Sequence, residues 1–142
     1  MTTVGRQLRD NAVALISLVV ALGGLGYNTW RNERTEHNRN VRAAAFELLM
    51  RLADLKRVVF LAQYDRDQAG GNPRTGWTYV LAIQDLSKLA PAPVPAQAER
   101  LQQVWGGNWE GLGKDDQTAV ERIDGAIDTL RDSTLGTLRS LR

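Results

Sequence analysis

Polar and apolar positions divide the chain into three regimes. From Asn11 to Trp30 no residue is charged, and Asp10 and Arg31 bound the run. Twenty residues at ~1.5 Å each span about 30 Å, the thickness of a bilayer's hydrocarbon core. The run predicts one transmembrane helix, 11–30, behind a polar tail, 1–10. From Arg31 to Asn40 no residue is apolar, and Gly and Pro are also absent. Glu33 and His37 stand four apart and Glu36 and Arg39 three apart, which allows side-chain pairs on a helix. This stretch predicts a polar helical stalk, 31–40. From Val41 apolar residues return at helical spacing and predict a helical bundle domain, 41–142.

Within that domain Val41, Ala45, Leu48, Leu52, Leu55, Val59 and Ala62 alternate spacings of four and three, a heptad seam. Phe46, Leu49, Ala53 and Phe60 read as a second row that widens the same face. Lys56 and Arg57 interrupt that wider face and are expected in solvent. The helix should stop near Tyr64, because Asp65–Gly76 holds a Gly-Gly pair and an Asn-Pro step. A second helix is expected over Trp77–Ala90, with Trp77, Val80, Leu81, Ile83 (or Gln84), Leu86 and Leu89 inward. Pro91, Pro93 and Pro95 at alternate positions suggest a stiff, extended connector. A third helix is expected over Ala96–Leu112, weakened by Gly106 and Gly107 at about 1 kcal/mol each. A last helix follows, with Asp115 or Asp116 as N-cap and a seam of Val120, Ile123, Ile127, Leu130, Thr134, Leu138 and Leu141. Arg139 and Arg142 would complement its dipole. No stretch alternates with period two for long enough to suggest a strand. The fold class expected is all-α: one N-terminal transmembrane helix continuing into a small antiparallel helical bundle. No breaker lies between Tyr27 and Tyr64, so a single helix from bilayer to bundle is expected, one that would hold the bundle at a fixed height.

Composition refines this picture only a little. The net charge is +2, and after the first ten residues 16 basic and 15 acidic residues remain. Such a balance does not suggest a nucleic-acid partner, which calls for clustered Lys and Arg. There is no cysteine, so disulfides, thiolate metal sites and cysteine nucleophiles are excluded. Arg6 and Arg9 ahead of Ala12–Leu22 also fit a secretory signal, with Ala21-Leu22-Gly23 as a small-x-small cleavage site. The uncharged run, however, continues to Trp30, which favours an uncleaved anchor. Tyr27 and Trp30, followed by Arg31 and Arg34, are the residues expected at the membrane interface. The four Arg at 31, 34, 39 and 42 favour a cytoplasmic domain, whereas a short basic tail before an apolar run is typical of an anchor that exports its C-terminal part. The reading inclines to the periplasm, with the side left open.

Candidate chemistry is thin. His37 is the single histidine and has no Cys or second His to join it as a ligand. Asp65, Asp67 and Asn72 echo part of a calcium loop, but position 69 is Ala and the twelfth residue is Gly76, not Glu. Asp115 and Asp116 are neighbours and do not face each other on a helix. Hydrolase, P-loop and dinucleotide fingerprints are absent. No catalytic residue, cofactor or metal is expected, and the chain does not read as an enzyme. Trp77, Trp105 and Trp109 form the candidate partner or ligand surface, set against the alternative that three large rings fill a small core.

Two stretches carry a resemblance: Tyr27–Asn40, YNTWRNERTEHNRN, and Gly71–Leu89, GNPRTGWTYVLAIQDLSKL. With the pair Trp105 and Trp109, they resemble short single-span membrane proteins of proteobacteria with no assigned activity. The resemblance implies a single-pass protein of the bacterial inner membrane and no particular chemistry. The function expected is therefore an interaction or accessory subunit. It would sit in the lipid bilayer and bind a partner protein or form a homo-oligomer. The alternative is a ligand-sensing module that signals through the stalk to a partner.

Overall fold

The computed structural model describes residues 3–141 of the chain. Among them every regular element is helical, with no strand. Helix α1 spans Thr3–Phe60 and runs into a π-turn over Leu61–Asp65. Helix α2 spans Pro73–Ser87, α3 Val94–Asn108 with a 3-10 turn at Trp109–Gly111, and α4 Gln117–Ser140. Helix α1 already begins at Thr3, so most of the expected tail 1–10 is helical. The expected role of Arg142 lies outside the described residues.

The chain divides into two compact units, Met1–His37 and Asn38–Arg142. In the first, every residue from Asn11 to Trp30 is exposed. It contains the start of the one described helix long and apolar enough to cross a membrane.

The second unit is an up-down-up-down four-helix bundle. Arg42 Nη2 donates to Leu141 O at 3.1 Å, Lys56 Nζ donates to Asp128 Oδ1 at 2.8 Å, and Gly113 N donates to Gln63 Oε1 at 3.4 Å. Rising numbers on α1 meet falling numbers on and before α4, so the two helices are antiparallel. The 41–62 seam is buried throughout, at 0–6% exposure. Opposite it lie Val80 and Ile83 of α2, Leu101 and Trp105 of α3, and Ile123, Ile127 and Leu130 of α4. Thr134 is buried in the α4 seam at no polar cost, because its hydroxyl donates to Leu130 O at 2.8 Å.

Five details differ from expectation. Phe46, Ala53 and Phe60 are exposed and only Leu49 is half-buried. At 3.6 residues per turn Phe46 lies roughly 150° from the centre of the buried stripe, too far to share its face. Ala44 and Val58 widen the stripe instead. Helix α2 starts four residues early, because Asn72 Oδ1 accepts from Arg74 N at 3.0 Å and Pro73 supplies a preset first-turn φ. Leu81 of α2 and Leu89 in the turn after it face solvent. The prolines do not form an extended connector. Ala92–Pro93 is a cis peptide in a short turn, and Pro95 lies in the first turn of α3, where its missing N–H costs nothing. Gly106 and Gly107 do not break α3, which ends only at Asn108.

Candidate functional site

The three tryptophans sit where α2 and α3 cross. Trp105 is fully buried, and its six-membered ring lies on the backbone of Gly76: a Cβ there would overlap Cζ2 and Cη2. Trp77, one residue on, lies half-buried across α3 beside Gly106, and Trp109 is half-buried against the same core. Trp105 thus presents no surface, and the two others are half-buried. The arrangement does what large rings do in small bundles: it fills space. The Trp105 indole N–H is buried without an acceptor among the described residues.

At one end of the bundle, loops converge on the π-turn. Arg66 at φ 50° accommodates the exit from the π-turn, and its N–H donates to Leu61 O. Asp67 Oδ1 accepts from Ala69 N at 2.9 Å and Gly70 N at 3.1 Å, and these backbone donors hold its carboxyl below the usual range. Asp67 is therefore committed to the turn. Asp116 Oδ1 accepts from Ala119 N at 3.0 Å and caps α4. Asp115, at φ 61°, pairs with Arg66 at 3.1 Å. Between these loops lies an open cavity of about 460 Å³ that Arg66, Asp67, Asn72 and Lys114 line. Its charges alternate in sign, and it contains no nucleophile next to a base.

In the first unit Tyr27 and Trp30 are 63% and 55% exposed, with ring centroids 6.2 Å apart. The Arg34 guanidinium lies 5.6 Å above the Trp30 ring, a cation–π contact. Arg31 O accepts from the Thr35 hydroxyl at 2.9 Å. No ion pair joins Glu33 to His37 or Glu36 to Arg39 among the described residues. The stalk is simply a solvated helix.

The most unusual surface includes two residues, Phe46 and Phe60, that were expected inside. Phe46, Met50 and Phe60 on α1 and Tyr64 on the π-turn are 52–61% exposed, and the rings of Phe60 and Tyr64 touch at 5.1 Å between centroids. The signal that reveals them is the presence of two interleaved 3–4 repeats on one helix. Reading both as one wide face hides the second.

No family model matches the chain, and neither does any curated protein or solved structure.

Proposed function

We propose that this chain is a single-pass membrane protein whose helical bundle binds a protein partner at the bilayer, without catalysis of its own. The observation that carries the reading is the Asn11–Trp30 run, uncharged and exposed at every residue. Burying large side chains of this kind is worth about 1.5–3 kcal/mol each, and in water this run buries none of them. A bilayer would receive it. Tyr27, Trp30, Arg31 and Arg34 would then stand at the headgroups, where amphipathic rings and Arg heads settle. The setting that the proteobacterial resemblance implies is a bacterial inner membrane; the short basic tail before the apolar run inclines the reading to a bundle on the periplasmic side. The ligand-sensing alternative draws no support from the tryptophans, because the Trp105 ring packs directly on Gly76.

Alkaline carbonate extraction of membranes tests the anchor. The full chain stays in the pellet, and Leu18→Arg with Val19→Arg moves it to the supernatant, since each Arg costs about 2.5–3.5 kcal/mol near a span's centre. A full-length chain released by carbonate would sink the reading.

A further inference from the structure

The exposed residues on α1 are not scattered. Phe46, Met50, Ala53, Arg57 and Phe60 follow spacings of 4, 3, 4 and 3, Tyr64 on the π-turn extends the row, and all six are exposed. The seam that builds the bundle runs along the opposite side of the same helix. A helix that merely faces solvent has no reason to repeat apolar residues at 3.5. That period is the mark of a helix partner lying alongside.

We infer that this outer seam pairs with the same seam of a second copy, as a parallel two-stranded coil. The inference deepens the proposed function by naming the partner, and it rests on that reading for the orientation. Two copies that insert with the same topology run from the bilayer in the same chain direction, and the pairing is drawn as parallel on that reading. The flanks suit it. With Phe46 and Phe60 as d positions, Arg42 is a g position and Glu47 the e position five residues on. These are the two places that meet between parallel chains in register. Within one chain Arg42 donates to Leu141 O and Glu47 pairs with Arg51. Arg42 is exposed and Glu47 is half-exposed, and a guanidinium has five donors, so both can take a second partner.

Area sets the strength. Each of the four large side chains offers roughly 100 Å². The sum, about 400 Å² per copy, is half of the roughly 800 Å² a stable complex buries on each partner. The seam is therefore too small to hold two free bundles together in dilute solution. Confinement to a membrane raises the effective concentration and makes up the difference. Arg57 lies in the seam itself. A single charged residue at such a position lowers stability while fixing register. The first unit carries a 3–4 repeat of its own, Leu15, Leu18, Leu22 and Leu25, each 55–65% exposed.

The absence of cysteine makes the test direct. Full-length single-Cys variants are reconstituted into phosphatidylethanolamine–phosphatidylglycerol vesicles and oxidised. Met50→Cys and Ala53→Cys form disulfide dimers at least tenfold faster than Arg122→Cys, an exposed position on α4. Adding Phe46→Asp and Phe60→Asp slows the Met50→Cys reaction by about tenfold with the helical circular dichroism unchanged, and Arg57→Leu speeds it. Equal rates at Met50→Cys and Arg122→Cys would overturn the proposal. So would a Met50→Cys rate indifferent to the two Asp substitutions. Carbonate extraction of the same vesicles keeps the two readings apart. A chain that is extracted refutes the anchor, and the rate ratio, measured on concentrated protein, still decides the seam.

Discussion

Asp124 is the residue whose chemistry the fold disturbs most clearly. Its Oδ1 is buried without a hydrogen bond, and Lys56 Nζ stands 3.9 Å away while making its close contact to Asp128. Burial pushes the Asp124 carboxyl above its ordinary value of 3.8. The Lys56 charge opposes this, and that of Asp128 adds to it. The native state then holds a proton that the unfolded chain has released, so stability falls as pH rises from 3.8 through the raised value. Asp124→Asn removes that loss. The variant is expected to be more stable at neutral pH, by under about 1 kcal/mol because the site is half-open to water. The gain should vanish below pH 3.8, where both forms are neutral. Urea denaturation across that pH range measures it. Nothing in the sequence marks Asp124 out from its neighbour Asp128, because the difference is one of burial.

At the scale of elements, periodicity carried most of the information. All seven positions of the 41–62 stripe are buried, and Asp116 caps α4 as its position before the apolar run suggests. What failed was geometry that spacing alone does not contain. Phe46 and Phe60 are as apolar as Leu48, and only the angle around the axis separates them. Leu81 and Leu89 satisfy a helical count but sit outside because α2 packs on the rest through Val80 and Ile83. The proline run was misread because Pro favours the first turn of a helix as readily as an extended chain. Of the candidate surface, the indole of Trp105 was legible as a large ring but not as a filled contact. That contact depends on Gly76, 29 residues away, having no side chain. Gly76→Ala forces either the α2–α3 spacing or the fully buried ring to move. It is expected to cost about 1–3 kcal/mol, as overpacked cores do. The same change at Gly125, inside α4 with open space around it, should instead stabilise by roughly 0.5–1 kcal/mol, the cost of a helical Gly relative to Ala. Thermal denaturation of the two variants makes the comparison.

On the scale of the whole molecule, the division at His37 carries its own prediction. The described core belongs to residues beyond 40, and 105 residues are enough to bury one. A chain beginning at Asn38 is therefore expected to remain helical and melt cooperatively. By the area argument it should sediment as a monomer at micromolar concentration. Loss of helicity on that truncation would show instead that the first unit is needed for folding. The composition shifts fall at 30 and 40, and the division at His37 lies inside the polar stretch between them.

The π-turn has a consequence for how such a chain can change over generations. Ala62 lies between two loops: a Cβ on Gly71 would strike its backbone nitrogen, and Gly113, at φ 73°, lies against its carbonyl. A side chain at Gly71 would collide with that backbone, and one at Gly113 would add the strain of its φ to a tight contact. Lineages descended from this protein should vary freely at Gln68 and Lys114 on the same loops, while positions 71 and 113 stay glycine, held there by one shared stretch of backbone.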